Sequence, residues 1–98
     1  MTRIYIAGPM TGFADFNYPA FNAKAAELRS EGFEVFNPAE LPAHEGKTYE
    51  QYMCEAMLLL LKCDAVYLLP GWAKSRGAQF ELQTARILRM AVIYGGRE

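Results

Sequence analysis

The residue of this sequence best suited to chemistry is Glu81, which lies in the stretch Leu68–Arg86 (LLPGWAKSRGAQFELQTAR). In this stretch an apolar strand ends in a proline–glycine turn, and a helix begins near Ser75. A carboxylate held rigidly in an apolar setting stabilises a developing cation at a reacting carbon, or attacks that carbon as a nucleophile. The alternative is a structural glutamate that the helix dipole stabilises near the helix N-terminus.

The neighbours of Glu81 on the helix predict that its side chain faces the sheet. The residues three before and four after it are Ala78 and Ala85, and Leu82 and Leu88 extend the same apolar stripe. No cation lies one turn away to hold the carboxylate at the surface. We therefore expect Glu81 to point inward.

Two glycine-containing loops are predicted to lie beside Glu81. In an open parallel sheet, ligands bind beyond the carboxyl ends of the strands, and the segments Gly8–Tyr18 and Pro70–Gly77 both emerge there. The second loop leads into a helix N-terminus, which favours anions. The candidate substrate contacts in the two loops are Gly8, Pro9, Met10, Asp15, Trp72, Ser75 and Gly77.

Several of these candidates also have a structural interpretation. Asp15 and Asn17 suit a turn as well as a ligand, and Ser75 suits an N-cap. Trp72 can stack on a base or pack against a neighbouring element. Both interpretations stay open for each residue.

The elements that must position these residues alternate between strand and helix. Predicted strands cover residues 3–7, 33–36, 64–69 and 91–94, and predicted helices cover residues 19–31, 48–62 and 75–89. Residues 64–69 are nearly all apolar, as expected for a strand covered on both faces. The order predicts an α/β fold: a small Rossmann-like (flavodoxin-like) parallel sheet of about four strands, with helices on both faces.

Composition and charge narrow the class of function. The chain has 98 residues, 52% of them hydrophobic and 21% charged, which predicts one globular domain spanning residues 1–98. A formal net charge of −1 provides no basic field for a nucleic-acid polymer, although local donors can bind a small anion. The N-terminus lacks the pattern of a signal peptide, and no apolar run is long enough to span a bilayer. We expect a cytoplasmic protein without membrane contact.

The cysteines and the histidine do not have the spacing of a metal site. Cys54 and Cys63 are nine residues apart, which fits neither a zinc motif nor a redox pair, and we expect reduced, buried thiols. The single histidine, His44, lies in a polar loop, where we expect it to be solvated. The sequence therefore predicts neither a metal nor another cofactor.

Several segments resemble a known group of proteins. IYIAGPMTG, DFNYPAFN, NPAE, LLPGW and SRGAQFE are similar to small phage- and prophage-associated domains of unknown function that are related to nucleoside 2-deoxyribosyltransferases. The resemblance covers nearly the whole chain, and SRGAQFE is its most specific part. The wider superfamily also contains 2′-deoxynucleoside 5′-monophosphate N-glycosidases. The resemblance therefore implies a small-molecule nucleoside or nucleotide as the partner.

The resemblance also implies roles for individual residues. It assigns Glu81 as the nucleophile that attacks the anomeric carbon of deoxyribose, and Tyr5 as the hydroxyl that orients it. At the place of Ser75 the transferases tend to have an aspartate and the monophosphate hydrolases a serine. Serine thus favours a nucleotide over a free nucleoside.

The sequence departs from the superfamily at one position. An aspartate usually lies eight residues before the aspartate that leads the third strand, here Asp64, but this sequence has Ala56 there. The candidate donors of the proton that the departing base needs are then Asp15, Glu55 and water. The chain is also shorter than those enzymes.

The sequence leaves three hypotheses for the function open. The first is N-glycosidic bond cleavage or transfer through a covalent glycosyl intermediate on Glu81, with water or another base as the acceptor. The second is a catalytically weak or inactive nucleotide-binding module, which Ala56 and the shorter chain favour. The third is a structural dimer whose cleft is incidental. In each case the apolar segment Met53–Leu61 predicts a homo-oligomer.

Overall fold

A parallel sheet flanked by helices makes up the computed structural model, which describes residues 2–41 and 46–96. The strands β1 (Arg3–Ala7), β2 (Glu34–Phe36), β3 (Ala65–Leu68) and β4 (Ala91–Tyr94) lie in the order β2-β1-β3-β4. They alternate with the helices α1 (Tyr18–Ser30), α2 (Tyr49–Leu60) and α3 (Arg76–Ile87). The predicted α/β fold is confirmed, whereas the predicted setting of His44 lies outside the described residues. Within the described ranges, no helix is long and apolar enough to cross a bilayer.

The central strand β1 buries side chains on both of its faces. Ile4 and Ile6 pack against the core residues of α1, whereas Tyr5 and Ala7 point to the opposite face. The residues that cover this opposite face from α2 and α3 are Ala56, Leu60, Leu82 and Ala85. Helices therefore lie on both faces of the sheet, as the apolar strands predicted.

The strand order reverses between β1 and β3. The chain moves outward from β1 to β2 and then returns to β3, so that Ile4 pairs with Val35 on one side and with Ala65 on the other. The connection after β1 leads to α1 on one face, and the connection after β3 leads to α3 on the other. Such a reversal leaves a crevice at the carboxyl ends of the two strands.

Side-chain caps determine where α2 and α3 begin. Thr48 and Gln51 form a reciprocal capping box at the start of α2. Ser75 accepts a hydrogen bond from the backbone N–H of Ala78 at 3.1 Å. The capping role considered for Ser75 is therefore confirmed.

Three predictions of burial are wrong. Leu88 is 51% exposed, because α3 ends at Ile87 and the stripe ends with it. Cys54 is exposed, since it lies two positions before the buried Ala56 and so on the other side of α2. Cys63 is only partly buried, and both thiols are free, as predicted.

Large apolar side chains on α2 and at its C-terminal end are exposed to solvent. Leu58 and Leu61 are 62% and 53% exposed. They belong to the segment from which we predicted a homo-oligomer, which stays a prediction.

Candidate active site

A cavity of about 760 Å³ lies at the crevice between β1 and β3. Pockets that take small molecules have this order of volume. The lining residues come mainly from the loops that follow β1, β2 and β3 and from the starts of α2 and α3, with one residue each from β1 and α1: Tyr5, Gly8, Pro9, Met10, Thr11, Phe13, Phe16, Phe21, Pro38, Lys47, Thr48, Tyr49, Tyr52, Met53, Gly71, Lys74, Ser75, Arg76, Gly77, Ala78 and Glu81. The predicted crevice therefore contains a cavity large enough for a nucleoside-sized ligand.

A tyrosine and a glutamate meet at the buried end of this cavity. The hydroxyl of Tyr5 on β1 donates a hydrogen bond to the carboxyl group of Glu81 on α3. Tyr5 is 0% exposed and Glu81 is 5% exposed. Glu81 therefore points inward, as its neighbours on the helix predicted. The fold joins two groups that are 76 residues apart in the sequence.

Burial changes the protonation of both groups. Loss of hydration raises the pKa of Glu81 to about 8, and the hydrogen bond from Tyr5 opposes this rise only in part. Burial raises the pKa of Tyr5 well above its ordinary value, and the nearby charge and hydrogen bond of Glu81 raise it further. In the unliganded protein near neutral pH, Glu81 is therefore mainly protonated and Tyr5 remains a donor.

A second buried phenol, Tyr52, joins three segments around the cavity. Its hydroxyl donates to the carbonyl oxygen of Pro38 at 3.0 Å and lies 3.3 Å from the sulfur of Met10. Burial raises the pKa of Tyr52, so it stays protonated at ordinary pH. Tyr52 thereby holds the loop after β1 and the turn after β2 against α2.

The loop after β1 ends in a left-handed turn. Asp15, Phe16 and Asn17 have φ angles of 51°, 52° and 63°, a conformation that L residues adopt at a conformational cost. The side-chain amide of Asn17 donates to the carbonyl oxygen of Pro9 at 2.9 Å, which ties the turn to the start of the loop. The turn brings Phe16, together with Phe13, to the edge of the cavity.

Two glycines in the lining lie where neighbouring segments approach closely. A Cβ atom on Gly8 would come within 2.8 Å of the Cβ of Leu69, the first residue after β3. A Cβ atom on Gly77 would lie 3.0 Å from the hydroxyl oxygen of Tyr49. Both glycines let the segments around the cavity approach one another closely.

The structure brings most of the predicted site residues together. Those that line the cavity are Tyr5, Gly8, Pro9, Met10, Ser75, Gly77 and Glu81. Asp15 is exposed and instead lines a shallow groove with Tyr18 and Asn22, because the left-handed turn directs it to solvent. Trp72 lies outside the cavity lining, with its ring centroid 5.7 Å from that of Tyr94.

The indole of Trp72 packs within the apolar cluster between the sheet and α2 and α3. Of the two interpretations considered for Trp72, packing on a neighbour is therefore the one observed. Glu55 also lies outside the cavity lining, and its carboxylate forms an ion pair with Lys47 at 2.8 Å.

The sequence-based prediction missed the contribution of α2. Tyr49, Tyr52 and Met53 line the cavity from the first turns of this helix. A signal was present, because every helix of a parallel α/β fold begins at the carboxyl edge of the sheet, where ligands bind. Lys74 and Arg76, which flank the predicted Ser75, were missed as well.

Three solved structures share the fold of this chain. A 2-desoxiribosyltransferase from Leishmania mexicana is 20% identical, with a TM-score of 0.74 over 96% of this chain and 63% of its own. A 2-deoxyribosyltransferase from Bacillus psychrosaccharolyticus is 23% identical, with a TM-score of 0.73 over 94% of this chain and 70% of its own. A conserved protein from Enterococcus faecalis V583 is 23% identical, with a TM-score of 0.72 over 96% of this chain and 62% of its own.

The chain thus spans less than two thirds of the length of two of these proteins. A comparison with curated protein sequences gave no match. Residues 2–94 match the model of a family described as a domain of unknown function, DUF4406, and the chain belongs to this family.

Proposed function

We propose that this protein cleaves or transfers the N-glycosidic bond of a 2-deoxyribonucleoside or its nucleotide. The observation that carries the proposal is the hydrogen bond from Tyr5 to Glu81 at the buried end of a cavity of nucleoside size. The fold shared with two 2-deoxyribosyltransferases supports a nucleoside as the substrate class. The proposed reaction has two steps.

In the first step, the ionised carboxylate of Glu81 attacks the anomeric carbon of the sugar. A covalent ester forms between Glu81 and that carbon while the bond from carbon to base nitrogen breaks. The electron pair of the broken bond stays with the base, which takes up a proton. Tyr5 holds the carboxylate in one orientation through its hydrogen bond.

In the second step, an acceptor attacks the same carbon and releases Glu81. If the acceptor is water, it loses a proton and the products are free base and free sugar. If the acceptor is another nucleobase, the product is a new nucleoside. In both cases the carboxylate of Glu81 is regenerated, so the reaction retains the configuration at the anomeric carbon.

Water is the proton source that best fits the departing base. Asp15 lies on the exposed turn, away from the cavity lining. Glu55 is held by Lys47 at 2.8 Å and does not line the cavity either. Among the described residues that do line it, Glu81 is the only one with a carboxyl group.

Base release from deoxynucleosides and their 5′-monophosphates, measured by chromatography, tests the proposal. Glu81→Gln keeps the shape of the side chain but removes the nucleophile, so we expect release to fall to background. Tyr5→Phe removes a hydrogen bond to a charged group, and we expect kcat/KM to fall roughly tenfold or more. Equal release from the wild type and Glu81→Gln across the panel would refute the proposal.

A matched control is available in the neighbouring strand. Tyr67 on β3 packs with the cluster on the α1 side of the sheet, opposite to the Tyr5 side. Tyr67→Phe also removes one phenol oxygen but lies away from the cavity lining. We expect this variant to retain the activity of the wild type.

A nucleotide-binding module without efficient catalysis is the second candidate function. The observation that favours it is Ala56, which is 1% exposed and leaves this buried position of α2 without a carboxyl group. This candidate predicts that nucleotides bind to the wild type while no base is released. Calorimetric titration of the same nucleotides, run beside the chromatographic assay, separates the two functions.

A further inference from the structure

The phenol of Tyr52 reaches the cavity from the face of α2 that packs on the sheet. Tyr52, Ala56 and Leu60 are the buried residues of this helix, and their spacing of four places them on one face. Tyr52 lines the cavity, whereas Ala56, one turn further along the helix, does not. The superfamily that the sequence resembles usually has an aspartate at the position of Ala56. Of the three buried residues, Tyr52 is therefore the one that brings an O–H group into the cavity.

The hydrogen of the Tyr52 hydroxyl has two acceptors within reach. The carbonyl oxygen of Pro38 lies 3.0 Å away and the sulfur of Met10 lies 3.3 Å away. A hydroxyl has a single hydrogen, and a thioether sulfur is a weak acceptor. The carbonyl oxygen of Pro38 also accepts a hydrogen bond from the backbone N–H of Leu41 at 3.1 Å. It therefore stays hydrogen-bonded when Tyr52 turns its hydrogen to a ligand in the cavity.

The Tyr52 hydroxyl belongs to the same cavity as the reacting groups. Glu81 and Tyr5 line this cavity together with Tyr52. Burial raises the pKa of Tyr52, and Glu81 is close enough for its charge to add to the rise. Tyr52 in turn adds to the rise that burial causes in the pKa of Tyr5. Tyr52 therefore keeps its hydrogen at ordinary pH and acts as a hydrogen-bond donor rather than as an acid.

A donor of this kind suits the bond that breaks in the first step of the proposed reaction. The electron pair of the N-glycosidic bond stays with the base, so negative charge grows on the base until it takes up a proton. A hydrogen-bond donor that is already in place lowers the barrier, because it stabilises this charge as it develops.

We infer that Tyr52 is a further catalytic residue, whose hydroxyl donates a hydrogen bond to the departing base. The inference rests on the proposed function and assigns a donor to its first step. The bond between the anomeric carbon and the base nitrogen breaks, and the new ester bond forms on Glu81. Tyr52 keeps its own proton throughout, and water supplies the proton that the base takes up.

The charge on the departing base provides the test, because a donor matters most for a base that leaves as an anion. 7-Methyl-2′-deoxyguanosine carries a positive charge on its base, so 7-methylguanine departs as a neutral molecule, whereas guanine departs as an anion. In a second pair, 5-fluorouracil bears negative charge better than uracil does. Release of the four bases from deoxynucleosides and from their 5′-monophosphates is measured by chromatography for the wild type and Tyr52→Phe.

We expect Tyr52→Phe to lower kcat/KM for the guanine and uracil substrates about ten- to a hundredfold, the effect of losing one hydrogen bond to a charged group. For the 7-methylguanine substrate, corrected for release without enzyme, kcat/KM should stay near its wild-type value. The fluorouracil substrate should show an intermediate loss. The control is Tyr67→Phe, which removes a phenol oxygen on the α1 side of the sheet and should leave every rate unchanged. The midpoint of urea unfolding shows that both variants are folded.

The two members of each pair separate a catalytic role from a structural one. If Tyr52 only holds the loop after β1 and the turn after β2, its loss slows both members by the same factor, and the inference is overturned. Equal rates of Tyr52→Phe and the wild type overturn it too, and both results leave the proposed function standing. Absence of base release from every substrate of the wild type refutes the proposed function and the inference with it.

Discussion

The buried carboxyl of Glu81 predicts an unusual dependence of stability on pH. The pKa of Glu81 in the folded protein is about 8, against 4.5 for a solvated glutamate. The folded state therefore holds a proton on Glu81 over a pH range in which the unfolded state has lost it. The contribution of Glu81 protonation to the free energy of unfolding is fully present below about pH 4.5 and is lost as the pH rises through about 8.

The magnitude follows from the shift in pKa. The difference of about 3.5 units between 8 and 4.5 corresponds to about 5 kcal/mol at 1.36 kcal/mol per unit. Between about pH 5 and pH 8.5, the loss amounts to about 4 kcal/mol. Because Glu81 is only 5% exposed, solvent screens this effect little. Such a loss is a large part of the 5–15 kcal/mol by which domains are typically stable.

Glu81→Gln tests this reasoning, because glutamine has nearly the same shape and stays neutral at every pH. Its carbonyl oxygen can accept the hydrogen bond from Tyr5. We expect the free energies of unfolding of variant and wild type to lie close together near pH 5. Near pH 8.5 the variant should be more stable by about 4 kcal/mol, or roughly 15–30 °C in Tm.

Urea unfolding, followed by the fluorescence of Trp72, measures both free energies at each pH. Other titrating groups cancel in the difference between the two proteins. Glu31→Gln, at an exposed glutamate, is the matched control and should show the pH dependence of the wild type. A difference between Glu81→Gln and the wild type that does not change with pH would refute the proposed protonation of Glu81.

Three further predictions follow from the site and its surroundings. If Glu81 is the nucleophile, kcat/KM for base release should rise with pH up to about 8, because only the ionised carboxylate attacks. A flat pH profile of kcat/KM from pH 6 to 9 would contradict this role. Gly8→Ala should lower the free energy of unfolding by about 1–3 kcal/mol, because the added Cβ would lie 2.8 Å from the Cβ of Leu69. An unchanged midpoint of urea unfolding would show that the loop adjusts without cost. A thiol reagent at pH 8 should modify the exposed Cys54 well before Cys63, because burial raises the pKa of Cys63 to about 12. Mass spectrometry of the digested protein measures the two rates, and faster reaction of Cys63 would contradict its buried environment.

Helix α3 shows what the local spacing of apolar residues predicts and what it does not. The spacing of Ala78, Glu81 and Ala85 predicted an inward carboxyl, because the 3.6-residue period of a helix determines which residues share a face. The apolar stripe did not reveal where α3 ends, so Leu88 was wrongly included in the stripe that faces the sheet. Helix ends depend on capping and on what the next segment packs against, which periodicity does not report.

The sequence by itself determined the order of strands and helices and the inward direction of Glu81, because each depends on neighbours a few residues away. It offered the cap at Ser75 as one of two interpretations, and the structure shows the cap. No local pattern identified what meets Glu81: the family resemblance implied Tyr5, and the tertiary structure decided the contact. The Tyr5 hydroxyl reaches it because β1 pairs with β3 and presents Tyr5 to the face that α3 covers. Similarly, Tyr49 enters the cavity because α2 begins beside α3, where Gly77 allows close approach. These contacts depend on strand order and on packing between distant segments, and no local period of the sequence carries that information.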